Sequence, residues 1–102
     1  IIVITAFISP FRAERDMAKQ MFENNDFLEV FIDTPLSVAE ARDPKGLYRK
    51  ARKGNLPNFT GIDSKYEIPL SADLIVQTEE KTVAESTEPL IALIMDQSIK
   101  KL

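Results

Sequence analysis

The chain has 102 residues, 44% of them hydrophobic and 28% charged, with a net charge of −3. That length admits one domain, and that composition excludes disordered and collagen-like sequence. Cysteine and histidine are both absent, which excludes a disulfide scaffold, thiolate chemistry, a Ser-His-Asp hydrolase and a histidine-based zinc site.

Residues 1–7 are apolar and mostly β-branched, the pattern of a strand buried on both faces of a parallel sheet. No turn, cap or methionine precedes Ile1, so the chain is expected to be a fragment that begins inside an element. Ser9-Pro10 reads as a helix start, with Ser9 as cap and Pro10 in the first turn, where its missing N–H costs nothing. That helix is expected over residues 10–23, with Phe11, Ala18 and Phe22 on one stripe, Met17 and Met21 beside it, and Asn24-Asn25-Asp26 ending it. Residues 27–32 predict a second strand. Thr34-Pro35 opens a short helix to about Arg42, and Asp43-Pro44 opens another that Gly54 stops.

Residues 55–73 hold Pro57, Gly61 and Pro69 with little periodicity, and a loop of that length in a compact domain is usually functional or mobile. Residues 74–77 predict a third, short strand. Thr82 and Glu85 form a capping box for a last helix toward Leu102, which Pro89 is expected to kink or delay. The order strand–helix–strand–helix–helix–strand–helix is that of an α/β sheet with helices on its faces. Three strands make a thin sheet, and a larger parent domain would explain it. The apolar runs at residues 1–4 and 90–95 are too short to span a bilayer, and no basic-then-apolar signal segment opens the chain.

Charge is unevenly spread. Residues 42–53 carry six basic side chains against Asp43 alone, whereas the segments on either side are each net −4. A basic island in an acidic chain argues against general nucleic-acid binding and suits a small polyanion such as a nucleotide. It is equally the pattern of a solvated helix face.

Three segments could carry chemistry. In FISPFRAERD, residues 7–16, Ser9 would sit at the carboxyl end of a strand and the start of a helix, where open α/β sheets bind anions; a plain helix cap is the other reading. In EARDPKGLYRKARKG, residues 40–54, a guanidinium could stack on a purine while lysines neutralise phosphates. In NFTGIDSKYE, residues 58–67, Phe59 could wall a base-stacking slot or pin the loop as a core residue.

In this order and spacing, FISPFR, EVFIDTPL, EARDPKGLY and NFTGIDSKYE closely resemble the adenylyl-sulfate kinase (APS kinase) family, from Ile1 to about Thr78 and more loosely beyond. The resemblance is to the C-terminal half alone. It implies the C-terminal part of a P-loop kinase-type, three-layer α/β/α fold with a mainly parallel sheet, with a lid at about residues 45–64. The implied reaction moves the γ-phosphoryl group of ATP to the 3′-hydroxyl of adenosine 5′-phosphosulfate in sulfate assimilation, with magnesium, in the cytoplasm. A homodimer and fusion or association with ATP sulfurylase are the implied assemblies.

Matched one at a time, Ile8 and Ser9 correspond to a pair that contacts the sulfonucleotide. In some members that serine is described as a phosphoserine intermediate, but in-line transfer needs none, so Ser9 is read first as a binding residue. Lys45 corresponds to a lid lysine approaching the sulfonucleotide, and Asn58 and Phe59 to the pair lining its adenine. Arg42 corresponds to the arginine packed on the ATP adenine, and Lys81 falls where the other side of that adenine is closed. The phosphate-binding pattern G-x-x-x-x-G-K-[ST] is absent: the three glycines are Gly46, Gly54 and Gly61, and none precedes a lysine. Magnesium ligands would belong mostly to the missing half. Without that loop the 102 residues are expected to be inactive alone. Two rivals use the same residues: a non-catalytic regulatory module that holds a sulfonucleotide without a P-loop, and a packing or dimer surface with a solvated basic face.

Overall fold

The computed structural model describes residues 1–23 and 25–100. The elements run α1 (Arg12–Gln20), β1 (Val30–Asp33), α2 (Leu36–Arg42), α3 (Leu47–Arg52), β2 (Leu74–Gln77) and α4 (Val83–Lys100). β1 and β2 pair in parallel, with Val30 opposite Leu74 and Asp33 opposite Gln77. The crossover between them carries α2, α3 and the long loop, while α4 packs against β2. Val76 on β2 and Ala51 on α3 are the buried apolar residues among those described. No helix among the described residues is long and apolar enough to cross a membrane.

The strand expected over residues 1–7 does not form. Ile1, Ile2, Val3, Ile4 and Phe7 are all at least 62% exposed, and the sheet among the described residues has two strands, β1 and β2. β-branched residues favour extended backbone, but a strand exists only where its N–H and C=O groups meet a partner ladder. None is presented to residues 1–7.

α1 is shorter than expected, and Ser9 is not its cap. Ser9 takes φ +42°, Phe11 occupies the cap position without a side-chain bond, and the first helical N–H, that of Arg12, donates to Glu67 Oε1 at 2.9 Å. A carboxylate from far along the chain therefore caps the helix. At the other end Met21 and Phe22 N–H groups donate to the Ala18 and Lys19 carbonyls, and Phe22 meets Phe27 with ring centres 5.4 Å apart. Of the expected stop signal, Asn24 lies outside the described residues, as do residues 101–102 of the last helix.

β1 starts three residues later than expected and ends one later, because its partner sets its length. The Glu29 carbonyl accepts from Asp73 N–H at 2.8 Å, and Glu29 N–H donates to Asp73 Oδ2 at 2.7 Å, closing the ladder's start. The expectations for α2 and β2 hold closely, whereas α3 starts at Leu47, three residues after Pro44, with Gly46 at its cap position, and ends before Gly54 as expected. α3 is begun by Asp43, whose carboxylate accepts from the Tyr48 and Arg49 N–H groups. The capping box on α4 forms both ways: Glu85 N–H donates to Thr82 Oγ1, and Thr82 N–H to Glu85 Oε1, each at 3.1 Å. Pro89 lies inside α4 and does not delay its start.

Candidate functional site

Open parallel sheets hold ligands outside the carboxyl ends of their strands. Here those ends run into Thr34 after β1 and Thr78 after β2, and the two hydroxyls share a hydrogen bond of 2.5 Å. Arg42, at the last turn of α2, donates from Nη1 to Thr78 Oγ1 at 3.0 Å and from Nη2 to the Thr78 carbonyl at 2.9 Å. The Lys81 N–H donates to that same carbonyl. Thr78 thus ties the Arg42 guanidinium and the Lys81 backbone to one residue. Both guanidinium bonds lie in its plane, so its π face stays suited to stacking on a flat base. A cleft of about 320 Å³ adjoins Lys81 and is also lined by Val76, Glu85, Ser86 and Pro89. The Thr82 backbone and hydroxyl hold the Glu85 carboxyl below the usual glutamate range.

The backbone of Asn58 and Phe59 is fixed by Asp63, whose carboxylate accepts from both of their N–H groups. Asn58 takes φ +59°, and a parallel bridge between Thr60 and Ser64 closes the turn. Phe59 is half-buried and meets Tyr48 of α3 edge-on, with ring centres 5.0 Å apart. That contact joins the loop to α3. Gly61 is required here: its φ is +90°, and a Cβ would lie 3.0 Å from Leu36 Cδ1.

Within the basic island, Arg52 pairs with Glu40 through two bonds of 2.7 and 2.9 Å, joining α3 to α2. That pairing lowers the Glu40 pKa and raises that of Arg52. Lys45, Arg49, Lys50 and Lys53 are exposed, so the island is part clamp and part solvated cationic face.

Ile8 is 65% exposed, and Ser9 is half-buried. The Ser9 carbonyl accepts from Arg15 Nη1 at 2.5 Å. Arg15 also donates from Nη2 to the Glu67 carbonyl at 2.5 Å, and Arg12 Nε donates to the Ile68 carbonyl. Sequence reasoning missed Arg15, Asp63 and Thr78. Arg12 and Arg15 sit three apart on one face of α1, a spacing that could have flagged them. Thr78 follows a strand directly, the same rule that singled out Ser9.

The sequence pattern of the adenylylsulphate kinase family matches residues 1–77. This chain belongs to that family. An adenylyl-sulfate kinase of Erwinia tasmaniensis is 54% identical over 101 residues, covering 99% of this chain and 50% of that protein. A probable adenylyl-sulfate kinase of Bacillus subtilis is 45% identical over 97 residues, covering 95% and 49%. The solved structure of a Mycobacterium tuberculosis APS kinase in complex with AMPPNP and APS superposes with a TM-score of 0.79 at 43% identity. It covers 87% of this chain and 52% of that one. The chain thus spans about half the length of the curated relatives it matches. The expected P-loop kinase-type α/β fold with a parallel sheet is borne out.

Proposed function

We propose that the protein carrying this chain is an adenylyl-sulfate kinase. It transfers the γ-phosphoryl group of ATP to the 3′-hydroxyl of adenosine 5′-phosphosulfate and makes 3′-phosphoadenylyl sulfate. The new bond forms between the 3′-oxygen and phosphorus as the bond to the β-phosphate oxygen breaks; ADP leaves and the hydroxyl proton is released. The observation that carries this reading is the Arg42–Thr78–Lys81 cluster at the carboxyl end of the sheet. It occurs in a chain that superposes on an APS kinase solved with AMPPNP and APS.

In this reading Arg42 and Lys81 flank the ATP adenine. Asn58 and Phe59 line the sulfonucleotide adenine, Lys45 approaches that nucleotide from a lid at about residues 45–64, and Ile8 and Ser9 contact it from the body. Ser9 is read first as a binding residue, because in-line transfer between two bound substrates needs no phosphoserine intermediate. Among the described residues no cluster of three or more carboxylates could hold a metal ion. Magnesium is ordinarily held by one or two carboxylates together with substrate phosphates, and in this reading most of its protein ligands lie in the rest of the protein. The reading places the enzyme in the cytoplasm, with a second copy of itself and ATP sulfurylase as its candidate protein partners.

Phosphoryl transfer depends on positioning and charge neutralisation, most of which a P-loop supplies. The test is a coupled assay with ATP, magnesium and adenosine 5′-phosphosulfate on two samples, the 102-residue chain and the full-length protein that contains it. The expected result is background for the first and turnover for the second. Turnover by the isolated chain that survives repurification would overturn its assignment as inactive. A full-length protein that binds the sulfonucleotide without turnover would favour the regulatory reading instead.

A further inference from the structure

Arg15 lies on α1 with a side chain only 10% exposed, and nothing in the proposed reaction uses it. Its two terminal nitrogens donate to the carbonyls of Ser9 and Glu67, both at 2.5 Å. Its Nε lies 3.8 Å from Glu29 Oε2. The guanidinium carbon stands 5.5 Å from the centre of the Tyr66 ring, and that ring stacks on Phe31 of β1 at 6.1 Å. Two bonds run alongside: Glu67 N–H donates to the Pro10 carbonyl at 2.8 Å, and Arg12 N–H to Glu67 Oε1. The Ser9 turn is thereby fastened to residues 66–68 from both sides.

Ser9 has φ +42°, a left-handed conformation that a residue with a Cβ keeps only where its surroundings over-determine it. The surroundings here are chiefly the fork of Arg15. A planar guanidinium can hold two carbonyls in fixed relative positions; the single ammonium of a lysine cannot reproduce that geometry.

We propose that Arg15 is a positioning residue: its fork locks the Ser9 turn to residues 66–68 and so fixes the surface on which the sulfonucleotide is held. This rests on the functional reading above and deepens it. Residues 66–68 are also where the proposed lid rejoins the body, so the lid returns to an anchored point beside Ser9. The ATP side, built on Thr78, shares no hydrogen-bond partner with Arg15.

The test is Arg15→Lys in the full-length protein, with calorimetric titration of adenosine 5′-phosphosulfate and, separately, AMPPNP. Small misplacements of a binding group are costly, so sulfonucleotide affinity is expected to fall at least about tenfold while AMPPNP affinity stays within about twofold. Amide exchange at Arg12 and Glu67 should accelerate, with Ile32 and Val76 unchanged. Equal losses for both nucleotides, or faster exchange with unaltered sulfonucleotide affinity, would reduce Arg15 to a structural staple and overturn the proposal. Should Arg15→Lys fail to fold, Tyr66→Leu removes the ring beneath the guanidinium and leaves both carbonyls in place. It is expected to weaken the sulfonucleotide selectively by about threefold, and an equal effect on both nucleotides overturns the proposal. If the unsubstituted protein binds no sulfonucleotide, the functional reading itself fails and this proposal falls with it. If it does bind and Arg15→Lys binds equally well, the proposal alone fails.

Discussion

Thr78→Val tests whether the hydroxyl at the end of β2 works through Arg42. Valine keeps the shape and removes two hydrogen bonds, one with Thr34 Oγ1 and one from Arg42 Nη1. The bond from Arg42 Nη2 to the Thr78 carbonyl survives, so the guanidinium is half-released. A hydrogen bond to a charged group is worth about 1.5–3 kcal/mol at most, and an exposed one falls below that range. An exposed cation–π contact, the interaction the clamp would orient, is worth about 0.5–1 kcal/mol. The expected cost to ATP binding is therefore about 0.5–1 kcal/mol, or about two- to fivefold in Kd. Sulfonucleotide affinity should not change. Calorimetric titration of AMPPNP and of adenosine 5′-phosphosulfate into the full-length variant reads both quantities. The decisive arm is a double-mutant cycle: in an Arg42→Ala background, Thr78→Val should have no further effect on AMPPNP. An undiminished effect in that background would show that Thr78 acts elsewhere and would refute the reasoning.

Four further outcomes follow from the same geometry. Phe59→Ala is expected to weaken the sulfonucleotide by about 1–3 kcal/mol, as loss of base–aromatic stacking does elsewhere, with ATP little changed. Arg42→Ala should do the reverse by about 0.5–2 kcal/mol, and equal losses of both nucleotides in calorimetry would unseat both assignments. Gly61→Ala should destabilise the 58–64 turn by about 1–3 kcal/mol, since alanine resists φ +90° and its Cβ would crowd Leu36; urea unfolding checks this, and a stabilised variant contradicts it. The pKa values of Glu40 and Glu85 are lowered in the fold. Each therefore contributes stability that is present above the unfolded glutamate pKa of about 4.3 and is lost as pH falls through the lower folded value. Circular dichroism of Glu85→Gln should show a shallower loss of helix below about pH 4.3 than the unsubstituted chain.

What the sequence determined by itself is whatever depends on near neighbours. Thr82 and Glu85 stand three apart and cap each other, so the start of α4 was legible. The same holds for α2 after Pro35, for α3 between the Asp43 turn and Gly54, and for the apolar run of β2. Asn58 and Phe59 were singled out by the family resemblance, and the Asp63 carboxylate that fixes their turn lies only a few residues on but was not noticed. Tertiary structure decided everything whose partner lies far along the chain. Residues 1–7 have strong β propensity, yet propensity supplies no hydrogen-bond partner, and without a neighbouring ladder they form no strand and stay exposed. α1 starts at Arg12 because the Glu67 carboxylate reaches its first N–H, and no local pattern announces a cap 55 residues away. Arg42 meets Thr78 across 36 residues, and Arg15 joins Ser9 to Glu67. A guanidinium's bonding partners are chosen by what the fold brings within about 3 Å of its planar fork, a property of the packed chain that no local sequence window contains.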